Sequence, residues 1–259
     1  GFVGFILYSA WDLPEVQTLE SYKPSITTRV YSDSNELLAE FFVENRTPVA
    51  LSDVPEALIK ALVATEDTRF YSHRGLDYRG IARALYRNVR SGKILEGGST
   101  LTQQLAKVLF LTPERSYLRK IKEMALALKI EQRYTKQEVL TLYLNQIYFG
   151  SGAYGVEAAA QTYFGKPVKD LALAECALLA GIPRSPKYYS PFTSRESALS
   201  RRAHVLNRLI ATGTVTEAQA REASRIPLPV PPTVQHKGPA PAPYFVEYIR
   251  QKVEERFGS

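Results

Sequence analysis

The chain has 259 residues, 45% hydrophobic and 23% charged, enough to bury a real core and too apolar for wholesale disorder. A formal net charge of +7 asks for an acidic partner: nucleic acid, an anionic membrane surface or a phosphorylated substrate. Cys176 is the only cysteine, which excludes an intrachain disulfide, and its Ala/Leu surroundings make it a small buried hydrophobe rather than a reactive thiol.

Gly1 to Trp11 is apolar and carries no charge, yet it falls short of the roughly 20 residues that span a bilayer. It reads as the end of a membrane anchor or as an interfacial segment with a Tyr and Trp belt, in a chain that is a piece of something longer. Residues 12–28 hold little pattern and read as a linker. Alternation from Thr28 to Val43 around Asp33-Ser34-Asn35 predicts a β-hairpin, with Val30 and Tyr31 against Leu38 and Phe41. From Ser52 to about Gly213 the apolar spacing is helical almost throughout.

The first helix has Ser52 or Asp53 as its expected cap, Pro55 in its first turn and Glu56 in support. Leu58, Leu62 and Glu66 fall at i, i+4 and i+8, so Glu66 emerges on an apolar face while Asp67 points elsewhere. A carboxylate beside apolar surface is partly desolvated, which suits it to general-base work near neutral pH. The ordinary reading of a lone Glu-Asp pair is a solvated helix end. Here Phe70, Tyr71, His73 and Gly75 crowd into the turn that follows, where a structural hydrogen bond is the expected part for His73.

Gly97-Gly98-Ser99-Thr100 then precedes a helix capped by Ser99 and Thr100, with Gln103 three residues after Thr100. Its N-terminus offers N–H groups and a positive dipole end as a seat for phosphate. Gln104 and Lys107 share one face, and the spacing is not that of a P-loop. From Lys107 to Lys136 there are eight basic residues: Lys107, Arg115, Arg119, Lys120, Lys122, Lys129, Arg133 and Lys136. Only Glu114, Glu123 and Glu131 oppose them. Either a solvated face or a cationic groove for a diphosphate accounts for such a run. No zinc spacing, RNP-like motif or recognition helix supports nucleic acid, and the scattered His73, His204 and His236 supply no metal site.

A helix is predicted from about Ser116 to Arg133, and Thr135 to Glu138 is a capping box for the next. Gly150 and Gly152 break that helix. A small-residue helix follows over Val156 to Tyr163, stopped by Gly165 and Pro167. Asp170 is the expected cap of a very apolar helix through Ala180, Ser194 caps another up to Gly213, and Thr216 starts a short last one. Pro227 to Pro243 is a proline-dense linker, and Tyr244 to Phe257 resumes an amphipathic pattern. Ser-x-x-Lys and Lys-Thr-Gly are absent, so no serine acyl-transfer site lies in these residues.

Five ordered motifs resemble the peptidoglycan glycosyltransferases of family 51, the membrane-proximal module of class A penicillin-binding proteins. They are Glu66-Asp67-x-x-Phe70-x-x-His73-x-Gly75; Gly98-Ser99-Thr100-x-x-Gln103-Gln104-x-x-Lys107; Arg119-Lys120-x-x-Glu123; Lys136 through Tyr143-Leu144-Asn145 and Gly150 to Tyr163-Phe164-Gly165-Lys166; and Ala180-Gly181-Ile182-Pro183-x-x-Pro186 with Tyr189-Ser190-Pro191. The resemblance covers roughly Val49 to Gly213. It implies a mainly α fold: a lysozyme-like helical lobe with a smaller membrane-facing jaw, and the short β-hairpin before it. The jaw falls between Gly75 and Gly97, where Leu76, Tyr78, Ile81, Leu85 and Tyr86 alternate with Arg79, Arg83, Arg87 and Arg90, a mixture suited to anionic lipid. The implied organisation is an anchor end or interfacial segment over 1–11, linker and hairpin over 12–48, the glycosyltransferase domain over 49–226, and over 227–259 a linker leading to a transpeptidase domain.

The implied reaction polymerises lipid II into β-1,4 glycan with inversion and release of undecaprenyl diphosphate, on the outer face of a bacterial cell membrane. By resemblance Glu66 is the base and Glu123 the second carboxylate on the donor side, acting through a divalent cation such as Mg2+ or through Lys120 and Arg119; no cofactor is required. Lys107 and Arg115 would neutralise the leaving diphosphate. Ser99, Thr100, Gln103 and Gln104 belong to the substrate-binding set, and Thr100, Gln103 and Gln104 would hold sugar or phosphate oxygens. Asp67, Phe70, His73, Arg119, Lys120 and Asn145 belong to the same set, in which Asp67 and His73 would support the first loop and Asn145 would shape the cleft. The implied partners are lipid II, the growing strand, the lipid surface and other cell-wall synthesis proteins, with no nucleic acid. Two rivals stand beside this reading: a lysozyme-like hydrolase, which has no diphosphate to stabilise, and a non-catalytic membrane scaffold.

Overall fold

The structure is a computed structural model and describes residues 28–31, 33, 37–41, 45–92, 97–112 and 116–230, with Tyr248 and Lys252. The apolar segment over 1–11, the residues before Thr28, most of the proline linker, almost all of the segment after Tyr244, and Arg115 lie outside the described residues.

Strands β1 (Thr28–Tyr31) and β2 (Leu37–Phe41) pair antiparallel as a hairpin, but not in the expected register: Val30 is opposite Ala39, Tyr31 is opposite Leu37 across an irregularity, and Phe41 is opposite Thr28. The rest is built on helices. Helix α1 (Glu56–Glu66) begins at Pro55 with no side-chain cap. Ser52 and Asp53, the expected caps, lie instead in a 3-10 turn over Leu51–Asp53, because Pro55 separates them from the first helical turn and itself supplies the starting dihedral. Helix α2 (Tyr78–Ser91) is peripheral: it buries only Gly80 and Ala84. Helices α3 (Leu101–Phe110), α4 (Tyr117–Arg133) and α5 (Lys136–Gln146) follow, with Thr100, Ser116 and Thr135 as their caps.

After α5 the chain does not simply break at its glycines. Tyr148–Gly150 (β4) and Ala153–Tyr154 (β5) form a tight hairpin, and Asn45–Arg46 (β3) adds to β5 in parallel. Helix α6 (Val156–Phe164) ends at Gly165, whose φ of +68° closes it. Helix α7 (Leu173–Gly181) starts one step after Ala172, not at Asp170. Asp170 is held in a 3-10 turn over Val168–Asp170, and the Glu175 carboxylate accepts the Ala172 N–H at 2.7 Å. A short α8 (Pro186–Tyr189) leads to α9 (Arg195–Ala211) and α10 (Glu217–Arg225), capped by Ser194 and Thr216 as their sequences specify.

Helix α7 is nearly all buried and packs against α1 and α9, while α3 packs against α4 and α5. Leu58 and Leu62 of α1 are fully buried in the resulting core, each worth about 1.5–3 kcal/mol. Cys176 sits inside α7, and burial, with the nearby Glu175 carboxylate, pushes its thiol up to about 12. The mainly α architecture with a small hairpin agrees with the fold read from the sequence. Among the described residues no helix is long and apolar enough to cross a membrane.

Candidate active site

Helix α1 delivers Glu66 as its last residue, and the chain then turns through Asp67. The Asp67 carboxylate is buried. It accepts from His73 Nε2, with both oxygens at 3.0 Å, and from the Leu101 N–H at 3.0 Å. One side chain thus ties the end of α1, the 70–73 turn and the start of α3. The expected phosphate seat at the α3 N-terminus is therefore partly filled: Asp67 takes the Leu101 N–H and the Thr100 hydroxyl takes the Gln103 N–H. An anion already occupies the positive end of that helix.

Several residues assigned to substrate contact close on the protein instead. Phe70 is fully buried, with Lys136 Nζ 4.4 Å from its ring centroid. Thr100 donates its hydroxyl to Gly75 O at 2.7 Å, and Gln103 completes the capping box. Asn145 binds Val49 through both of its amide atoms and donates to Thr141 O, holding the chain ahead of α1. Leu76, one of the apolar residues placed in the lipid-suited jaw, is buried. The spacing His73-x-Gly75 also has a physical reason. Gly75 has a φ of +82°, and a Cβ there would stand 2.7 Å from Ala127 O of α4.

Glu66 itself is held from two sides. Gln104 Nε2 donates to Oε2 at 3.3 Å, and Tyr143 O–H donates to Gln104 Oε1 at 3.2 Å, which orients the amide. Burial, then the Glu66 and Asp67 carboxylates, push the Tyr143 phenol well above its ordinary range, so it remains a donor. Arg201 Nη2 donates to Glu66 Oε1 at 2.9 Å. Arg208 caps the same helix end, donating to Ala64 O at 2.9 Å and to Thr68 Oγ1 at 2.6 Å. Both α9 arginines escaped sequence reasoning. A signal existed: Arg201 precedes Val205 and Leu209 at i+4 and i+8, an apolar face on which a charge needs a buried partner.

The third motif reaches the second through Lys120, whose Nζ lies 2.7 Å from both Ser99 Oγ and Glu123 Oε2. Arg119 Nε approaches Glu123 Oε1 at 3.5 Å, an ion pair rather than a hydrogen bond. Glu66, Asp67, Ser99 and Thr100 line one cleft of about 560 Å³, together with Arg69, Arg83, Arg87, Arg184, His204 and Arg208. Lys107 lies half-buried on α3, one turn beyond Gln104. A divalent cation fits poorly beside Glu123: both oxygens of that one carboxylate already face cations, and no group of three or more His, Cys, Asp or Glu among the described residues is placed to hold a metal.

Residues 34–210 match the family model described as Transglycosylase. The chain belongs to that family. It is the glycosyltransferase module of a class A penicillin-binding protein, as the five motifs implied. It is 45% identical over 258 residues to penicillin-binding protein 1A of Aquifex aeolicus, covering 100% of this chain and 35% of that protein. It is 43% identical to penicillin-binding protein 1A of Escherichia coli, over 98% of this chain and 30% of that one. The chain thus spans about a third of the length of these relatives. A crystal structure of penicillin-binding protein 1A from Haemophilus influenzae superposes with a TM-score of 0.54 at 27% identity, covering 92% of this chain and 25% of that one.

Proposed function

We propose that this module polymerises lipid II. Glu66 takes the proton from the acceptor's GlcNAc 4-hydroxyl as that oxygen attacks the anomeric carbon of the donor's MurNAc. The bond to undecaprenyl diphosphate breaks, and the new β-1,4 link has inverted configuration. Lys107 and Arg115 stabilise the charge that develops on the leaving diphosphate. Glu123 orients the donor side through Lys120 and Arg119, whose charges it already shares, and no step needs a metal. The observation that carries the reading is the cleft, in which Glu66 shares a wall with Ser99 and, through Ser99, with the Lys120–Glu123 pair.

The proposed module extends over 49–226, with the anchor end, linker and hairpin ahead of it and a linker toward a transpeptidase domain behind. It works at the outer face of the bacterial cell membrane. Helix α2 supports the membrane contact, since it exposes Tyr78, Leu85, Tyr86 and Val89 beside its arginines, an amphipathic surface for anionic lipid. Purified chain with labelled lipid II in detergent tests the reading. A ladder of lengthening glycan, abolished by moenomycin and by Glu66→Gln, is expected. Cleavage of preformed glycan would give the case to the hydrolase, and lipid II binding without a ladder would leave a scaffold.

A further inference from the structure

We propose that Arg201 is the positioning residue for the Glu66 base, and that the Gly181 turn is shaped to seat it. The inference rests on Glu66 being the proton acceptor. The two residues are 135 positions apart, yet each sits where its helix otherwise points into the core. Glu66 follows Leu58 and Leu62 along α1, and Arg201 precedes Val205 and Leu209 along α9, with all four apolar residues buried. Their side chains are 10% and 7% exposed. A buried ion costs several kcal/mol unless it is paired, so each of these charges needs the other.

The guanidinium is held on three sides. Nη2 donates to Glu66 Oε1 at 2.9 Å, Nε donates to Gly181 O at 3.1 Å, and the group stacks 5.2 Å from the centroid of the Tyr189 ring. A Cβ at position 181 would stand 2.7 Å from Arg201 Cγ, so a side chain there would displace the arginine. The fifth motif, which supplies both Gly181 and Tyr189, thereby acts on the first through Arg201. Gln104 holds the other oxygen of Glu66. With one donor on each oxygen the plane of the carboxylate is set, and its remaining lone pairs are left for a hydroxyl proton in the cleft. A buried ion pair adds little net stability, whereas a base must lie within hydrogen-bond reach of its proton. The pair is therefore better explained by geometry than by stability.

Steady-state kinetics on labelled lipid II, with thermal unfolding of each variant alongside, tests this. Arg201→Met should lower kcat on the order of 100-fold, the cost of misplacing a reacting group by about 1 Å, with KM changed by less than about threefold. Arg201→Lys should recover part of kcat, because an ammonium keeps the charge while forfeiting the fork. Gly181→Ala should lower kcat in the same sense. If Arg201→Met does not fold, Arg201→Lys and Gly181→Ala carry the test. Near-normal kcat in the folded variants, or a loss confined to KM, overturns the positioning role. Glu66→Gln separates the premise from the inference: a Glu66→Gln protein that still turns over removes Glu66 as the base, whatever the arginine variants do.

Discussion

Gly75→Ala tests the join between the first motif and the helix that carries Glu123. Two costs separate cleanly at this position. An L residue at a φ of +82° enters the left-handed region at about 1–2 kcal/mol. The added Cβ would meet Ala127 O at 2.7 Å and Ala127 C at 2.9 Å, both backbone atoms of α4 that cannot rotate away, and overpacking of this kind costs about 1–3 kcal/mol. The sum is about 2–5 kcal/mol, or about 4–20 °C in Tm for a domain of this size. Gly92→Ala is the internal control. Its φ is +65° but nothing lies within 4 Å of its would-be Cβ, so it should lose only the conformational part, about 1–2 kcal/mol. Calorimetric melting of the three proteins reads the difference directly. Gly75 O also accepts the Thr100 hydroxyl, so the strained variant should lose glycan synthesis as α3 and α4 shift apart. A Gly75→Ala protein that melts no lower than Gly92→Ala would refute the close approach as the reason for glycine.

Lys107→Ala should weaken donor binding about tenfold to hundredfold, the worth of one charge-assisted bond to phosphate, and flatten the dependence of activity on salt; unchanged affinity in a filter-binding titration would make Lys107 a structural cation. Cys176 should resist aromatic disulfide reagents at pH 8. With its thiol near 12 in the fold, the thiolate fraction is roughly one in ten thousand, and labelling should appear only on unfolding. The sign follows for stability: the neutral thiol is favoured in the fold, so its contribution is intact below the ordinary thiol range and is lost progressively as pH rises from there through the folded value of about 12.

What could be read beforehand divides along physical lines. Helices whose start rests on a local hydrogen bond were legible, because Thr100, Thr135, Ser194 and Thr216 each announce their own cap within four residues. Ser52 and Asp170 misled for the same local reason, since short 3-10 turns claimed them before the helices began. The 148–154 hairpin was missed because Gly150 and Gly152 act as helix breakers and turn formers alike. Its pairing with Asn45–Arg46 is a contact across about a hundred residues that no local pattern encodes. Glu66 was found by its apolar face. Arg201 stood on such a face too, and the rule that singled out the carboxylate applies equally to its partner.

The motif residues also separate by where their polar atoms go, which spacing cannot reveal. Asp67, Thr100 and Asn145 spend theirs on backbone and on His73, so their loss would be felt as disorder of the cleft wall. Glu66 and Ser99 line the same cleft as Asp67 and Thr100, but their polar atoms meet the side chains of Arg201, Gln104 and Lys120. The cleft also locates part of the charge that composition reports only as a total. Among the described residues five arginines line it against the three carboxylates Glu66, Asp67 and Asp77, and each carboxylate already has a donor: Arg201, His73 and Arg69 in turn. Burial, then Arg201, Arg208 and Arg184, push the His204 imidazole down, which registers the positive field from within. A net-positive cleft beside an exposed amphipathic helix favours an anionic substrate delivered from a lipid surface, since cationic clefts with low-dielectric walls focus the field on what enters. A neutral glycan would gain nothing from that arrangement, which is the electrostatic argument for a diphosphate donor over a hydrolytic substrate.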